Sequence, residues 1–237
     1  METFKEFLDR INSFQKKELN LGDNDFAVSQ SVAHKVNADN TFKSFYGDTV
    51  VFDLDDSVKS KLGEYVDMLY RAAPQCFCDR LIPHTFHVTL HDLSNSPTLS
   101  EVAEQTFCNE LKILQIKSEL QKLNQAPIKL KSTYVFNMVN TSLVLGLRPV
   151  TQKDYDAIMA LYSLIDGVKT LPYPFTPHIT LAYYNANGFD RNAAISLENA
   201  VNEINAKLDV ELSLSKLYYQ KFTSMNNYVD VVSLLKK

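Results

Sequence analysis

Between residues 2 and 20 the apolar side chains Phe4, Phe7, Leu8, Ile11 and Phe14 recur at helical spacing with charged residues between them, which predicts an amphipathic helix. An aromatic stripe of this kind is a docking face for the rest of the chain. Residues 21–48 are polar and broken, and predict irregular structure with room for one short strand. A repeated order then sets in. Thr49-Val50-Val51-Phe52-Asp53-Leu54 reads as a strand, and 57–73 as a helix with Val58, Leu62, Tyr65, Val66 and Leu69 on one side. Thr85 to Asp92 alternates as a strand. A long helix follows over about 100–124, with Ser100 and Glu101 as capping residue and favourable charge at its start. Residues 127–138 and 142–148 predict two strands joined by a turn at Asn140-Thr141. The second half runs in similar order: a helix at 151–165 opened by Thr151, a strand at 176–184, a helix at about 190–207, and strands at 209–220 and 227–234. Strands alternating with helices argue for an α/β or α+β fold. No Gly-, Pro- or Ser-rich linker separates the halves, so one bilobal unit is expected.

With 237 residues the chain can bury a substantial core. Its net charge of −4 disfavours a long duplex nucleic acid as partner, because phosphate neutralisation needs a basic excess. A small anionic substrate in a local pocket stays open. Cys76, Cys78 and Cys108 make an odd count without zinc-ligand spacing, which fits reduced thiols in a cytoplasmic protein. The first residues lack a basic and then apolar leader, and no stretch approaches membrane-span length, so neither secretion by a signal peptide nor a membrane partner is expected.

Two segments carry chemistry: Phe86-His87-Val88-Thr89-Leu90 and Pro177-His178-Ile179-Thr180-Leu181. On a strand, side chains alternate between faces, so His87 shares a face with Thr89, and His178 with Thr180. The opposite faces are apolar. Imidazole titrates near neutrality and can take or give a proton, while threonine offers a hydroxyl to a phosphate oxygen without adding charge. Two such units on opposite sides of one phosphorus supply a base, an acid and two oxygen clamps. No metal and no cofactor is required.

These two segments, and the order of elements around them, resemble the two-histidine (2H) phosphoesterase superfamily over about residues 49–235. That superfamily includes the bacterial RNA 2′,3′-cyclic phosphodiesterases, also called 2′-5′ RNA ligases, and eukaryotic cyclic nucleotide phosphodiesterases. The resemblance implies an α+β, bilobal, LigT-like fold. Two antiparallel sheets would flank a central cleft, with helices packed outside. It implies a phosphodiesterase in which His87 and His178 serve as acid and base, with Thr89 and Thr180 binding phosphate. A small nucleotide or short RNA would be the substrate; the alternative readings are a non-catalytic module that keeps the cleft to hold a nucleotide or RNA end, and a metal-dependent hydrolase using the His84–His91 cluster. Many bacterial members carry a basic residue shortly after the second motif; here Leu181 is followed by Ala182-Tyr183-Tyr184. Residues 1–48 have no counterpart in the minimal fold, so the division expected is an N-terminal helical extension, 1–48, and a bilobal domain, 49–237.

Other side chains compete for a role. His84, His87 and His91 invite a metal site, but strand rise puts His87 and His91 about 13 Å apart, too far for one zinc ion. His91 would share the face of His87 at the cleft edge. Tyr134, Phe136, Tyr173, Phe175, Tyr183 and Tyr184 lie on or near the cleft strands. By strand parity Tyr184 falls on the His178 face and is the candidate for stacking a base, and Tyr183 falls on the apolar face. Lys131 and Arg148 are the nearest basic residues on those strands.

Overall fold

The computed structural model describes residues 2–17, 25–123, 126–204 and 207–234. The first helix, α1 (Phe4–Ser13), begins at a capping box. The Thr3 hydroxyl accepts from Glu6 N at 3.3 Å, and the Glu6 carboxylate accepts from Thr3 N at 2.8 Å. A 3-10 turn, Phe14–Lys17, continues it. Residues 18–20 of the expected helix, and 21–24 of the irregular stretch, lie outside the described residues. Between 25 and 45 the chain forms isolated bridges, Phe26 to Phe189 and Val36 to Phe42, and a 3-10 helix, Gln30–His34.

The strands are β1 (Tyr46–Asp53), β2 (His87–Ser96), β3 (Ile128–Met138), β4 (Ser142–Pro149), β5 (His178–Tyr183), β6 (Asp209–Leu212), β7 (Leu217–Ser224) and β8 (Asn227–Ser233). The further helices are α2 (Asp56–Ala72), α3 (Leu99–Leu120), α4 (Gln152–Asp166) and α5 (Arg191–Glu203). Thr151 closes a capping box with Asp154 at the start of α4, and the Asp190 carboxylate accepts from Ala193 N at 2.8 Å at the start of α5. The start of α3 differs from expectation: Thr98 holds the cap position and Ser100 is already helical. Residue 124 of that expected helix, and 205–206 of the next, lie outside the described residues. The β3–β4 turn uses left-handed backbone at Val139 and Asn140, with φ of 45° and 57°.

All pairings are antiparallel, in two four-stranded sheets ordered β2-β1-β7-β8 and β5-β4-β3-β6. The fold is thus the expected α+β arrangement of two antiparallel sheets, but the sheets do not coincide with the halves of the chain. α3, about 33 Å long at 1.5 Å per residue, carries the chain from the first sheet to the second, where β3 joins β4. The expected strand 209–220 divides at a 3-10 turn, Leu214–Lys216, into β6 of the second sheet and β7 of the first. The β7–β8 hairpin then completes the lobe that the chain began.

Each lobe therefore repeats a strand–helix–strand unit, β1-α2-β2 and β4-α4-β5, and each places its His-x-Thr strand at a sheet edge. Helices pack across the lobes in matched pairs, α2 on α5 and α3 on α4. One continuous apolar cluster joins both, including Val50, Phe52 and Leu62 from the first and Leu145, Ile158 and Ile179 from the second. Phe7 and Ile11 of α1 belong to the same cluster. Truncating a fully buried member such as Leu62 removes about 2–5 kcal/mol. Asp48 docks α3 on its sheet: buried, it accepts from Ser94 N at 2.7 Å, Asn109 Nδ2 at 3.0 Å and the Tyr219 hydroxyl at 2.9 Å.

Candidate active site

The edge strands β2 and β5 approach each other between the lobes. The motif positions alternate as expected: His87, Thr89, His178 and Thr180 are partly exposed, while Val88, Leu90, Ile179 and Leu181 are buried. All four polar residues line one cavity of about 260 Å³, together with Tyr183 and Tyr228. That volume lies just below the ~300–1,000 Å³ usual for small-molecule sites.

Both imidazoles are oriented in the same way. His87 Nδ1 lies 2.7 Å from the Thr85 carbonyl oxygen, and His178 Nδ1 lies 2.7 Å from that of Thr176. A carbonyl can only accept, so Nδ1 carries the hydrogen in each ring. The neutral ring then keeps its lone pair on Nε2. Each supporting loop has its own cationic brace. The Lys59 ammonium, buried, donates to the His84 carbonyl at 3.1 Å and to Asp53 at 2.6 Å. The Arg10 guanidinium of α1 donates to the Thr176 hydroxyl at 3.0 Å and the Phe175 carbonyl at 2.8 Å, while held by Glu2.

Burial disfavours the charged imidazolium and pulls the His87 pKa down to about 4, with the Thr85 carbonyl and Asp92 opposing and His178 adding to the fall. Burial lowers His178 in the same sense, opposed by the Thr176 carbonyl and Asp92. In the free protein at neutral pH both rings are therefore uncharged. The His87 and Tyr228 rings meet edge to face, with centroids 5.1 Å apart. Behind His87 a second cavity of about 300 Å³ is lined by Asp53, His84, Gln220, Tyr228 and Asp230. A larger cavity of about 640 Å³, around Lys131, Thr133, Tyr134 and Lys207, contains neither motif.

Strand parity fails just past each motif. The register of β2 against β1 shifts between Thr89 and His91, and that of β5 against β4 between Thr180 and Ala182. An extra residue at these bulges exchanges the faces of everything that follows. Tyr184 is consequently not on the His178 face. It is 0% exposed, packed among Phe26, Phe77 and Phe189, and its hydroxyl finds no hydrogen-bond partner among the described residues. Tyr183 lines the cavity in its place. Likewise His91 leaves the His87 face and is buried, with Nδ1 2.5 Å from the Asp92 carbonyl and Nε2 3.1 Å from Asp166. Asp92 takes the cleft position and accepts from the Tyr173 hydroxyl at 3.3 Å.

The three clustered histidines thus separate: His84 is exposed on a 3-10 turn, His87 is in the cleft and His91 is in the interior. Among the described residues no group of three His, Cys, Asp or Glu side chains converges as a metal ligand set. Arg148 and Lys131 do not line the cleft. Lys35, from the N-terminal segment, does, and so do Phe45 and Phe222. The sequence contains one signal that would have lengthened the motif: Pro83-x-Thr85-x-His87-x-Thr89-Leu90 repeats as Pro174-x-Thr176-x-His178-x-Thr180-Leu181. The upstream Thr of each copy supplies the carbonyl that holds the imidazole.

No protein-family model matches the chain, and no curated protein does. Several solved structures share its fold. A conserved protein of unknown function from Agrobacterium tumefaciens strain C58, ATU0111, aligns at a TM-score of 0.69 with 13% identity, over 94% of this chain and 98% of its own. TT0787 of Thermus thermophilus aligns at 0.51 with 15% identity, over 78% and 94%. A structure described as a phosphoesterase aligns at 0.50 with 15% identity, over 79% and 95%. At these identities the likeness is one of fold. The chain shares with these structures a bilobal fold of two antiparallel four-stranded sheets about one cleft.

Proposed function

We propose that the chain cleaves a small nucleotide phosphodiester by acid–base catalysis shared between His87 and His178. The substrate is a nucleoside 2′,3′-cyclic phosphate, an RNA end, or a short or cyclic oligonucleotide. One observation carries the reading: two imidazoles from opposite lobes line one cavity, each fixed through Nδ1 so that a free Nε2 can serve the cleft. A water oxygen attacks phosphorus while one Nε2 takes its proton. The bond from phosphorus to the leaving ribose oxygen breaks, and the other imidazole, which enters the reaction protonated on both nitrogens, delivers its Nε2 proton to that oxygen. Thr89 and Thr180 donate to the non-bridging oxygens, and Tyr183, rather than Tyr184, is the tyrosine that lines the cavity and can contact a base with the part of its ring that Lys35 does not cover. Two imidazoles suffice for both proton transfers, so the reaction is written without a metal ion. Residues 1–48 act as an extension that supports the bilobal catalytic unit of 49–237, with Arg10 bracing the second motif.

The test is a screen of 2′,3′-cyclic mononucleotides, 2′-5′ and 3′-5′ dinucleotides and cyclic dinucleotides, with and without EDTA. Turnover of at least one class, unchanged by EDTA and abolished in folded His178→Ala, is expected. Native turnover by folded His178→Ala or His87→Ala overturns the mechanism.

A further inference from the structure

We infer that Lys35 is the cation that binds the charged phosphate group of the substrate, so that the segment 25–45 completes the site between the lobes. This rests on the phosphodiesterase reading for the identity of the substrate, but not for the existence of an anion site. Lys35 follows the 3-10 helix Gln30–His34 and lines the same cavity as both histidines. Its ammonium stands 5.1 Å from the ring centre of Tyr183 and 5.2 Å from that of Phe45. Among the described residues it has no carboxylate partner and donates no side-chain hydrogen bond to the protein. Other lysines near the lobes are committed: Lys59 to Asp53, Lys216 to Asp55, Lys221 to Glu110. A half-buried cation held only by two aromatic faces keeps three donors for a ligand.

The backbone that carries Lys35 is fixed to both lobes. Ser29 N donates to the Asn140 carbonyl at 2.9 Å in the second, and Phe45 N donates to that of Thr223 at 2.9 Å in the first. Phe26 and Phe189 exchange backbone hydrogen bonds at 2.8 and 3.2 Å. That approach requires Gly188, whose φ is +75° and where a Cβ would meet the Phe26 carbonyl oxygen at 2.4 Å. Val32 and Val36 are buried on either side of Lys35 and pack with Cys78. The position of the ammonium is thus set by tertiary contacts. The cleft also carries charges of both signs: Lys35 stands between Tyr183 of β5 and Phe45, which precedes β1, while Asp92 lies on β2 and Asp53 and Asp230 line the second cavity beside His87. An anionic group is attracted to Lys35 and repelled by the carboxylates.

The experiment measures binding of inorganic phosphate to the full chain by calorimetry, beside KM and kcat for a 2′,3′-cyclic mononucleotide, for the native protein, Lys35→Gln and Lys35→Arg. A charge-assisted hydrogen bond predicts a rise in the phosphate Kd of roughly 10- to 100-fold in Lys35→Gln. Lys35→Arg should restore most of the affinity, with the melting temperature unchanged in both. KM should rise with the phosphate Kd while kcat falls less. Native phosphate affinity in folded Lys35→Gln, or no phosphate binding by the native protein at millimolar concentration, overturns the assignment. If phosphate binding depends on Lys35 but no phosphodiester is turned over, the anion site stands and the phosphodiesterase reading falls. If turnover depends on the histidine pair while Lys35→Gln keeps native KM and phosphate Kd, the reverse holds.

Discussion

On the β2 side of the cleft the loop before the histidine is held from within its own lobe, by Lys59 of α2. On the β5 side the corresponding loop is held from the N-terminal helix, by Arg10 of α1. Up to the last residue of each motif the two sides are otherwise alike: the same Pro and Thr upstream, the same Nδ1 anchor, the same alternation. Beyond the motif a bulge falls at the same place in both, yet it delivers a carboxylate, Asp92, on one side and a phenol, Tyr183, on the other. Symmetry of this kind suits a phosphorus attacked from one side and departed from on the other. In the proposed reaction the departures from symmetry would set which end of a substrate lies where.

The strongest break of that comparison is removal of either imidazole. His87→Ala and His178→Ala should each lose ~10²–10⁴-fold in turnover, since each removes one proton transfer. The double variant should fall by less than the product, because the pair acts as one unit. Steady-state rates on folded proteins check this, and strict additivity would argue against a shared reaction. Next come Thr89→Ala and Thr180→Ala, each expected to cost ~1.5–3 kcal/mol of transition-state stabilisation, read from kcat/KM. Equal losses would mean the clamps share the phosphate evenly.

The two residues that the bulges deliver to the cleft, Asp92 and Tyr183, should separate in a pH profile. The proposed reaction needs one neutral and one protonated histidine, and burial lowers both, His87 to about 4. The profile of kcat/KM should thus be a bell rising near pH 4 and falling before the ordinary histidine value of 6.5. The Asp92 carboxylate favours the protonated form of both rings, so Asp92→Asn should move the alkaline limb to lower pH. Tyr183→Phe should leave the limbs in place. A profile unmoved by Asp92→Asn would remove Asp92 from the site.

The braces are expected to matter least, at up to about tenfold in kcat for each of Lys59→Met and Arg10→Ala, because each acts through backbone that other contacts also hold. Stability gives a last contrast. A histidine buried in its neutral form opposes protonation in the folded state only, so stability is full above pH 6.5 and falls as the pH drops towards 4. His87→Ala should reduce the fall of the melting temperature over that interval, with His178 left to account for the remainder.

Much of this was legible in the chain. The period of two around His87 and His178 placed Thr89 and Thr180 correctly, because alternation is a local property of extended backbone. The five helices follow their apolar stripes, and two of them their capping boxes, for the same local reason. The exchange of Tyr184 for Tyr183 and of His91 for Asp92 was not legible. A bulge is decided by pairing with β1 or β4, and nothing in Leu90-His91 or Leu181-Ala182 announces it. Nor could the sequence divide 209–220 between two sheets, since both pieces read as ordinary strand.

By itself the sequence determined which residues could do the chemistry, two histidines and two threonines in a repeated segment, and that each would stand on a strand with its apolar neighbours buried. Tertiary structure alone decided that β3 and β4 would join β5 while β7 and β8 returned to β1, bringing the two edge strands to one cleft. It also brought Lys35, from a segment that reads as loop, to within reach of residues about 140 positions away. Periodicity is fixed by neighbours along the chain, whereas register, sheet membership and the meeting of distant segments are fixed by which apolar faces can be buried together.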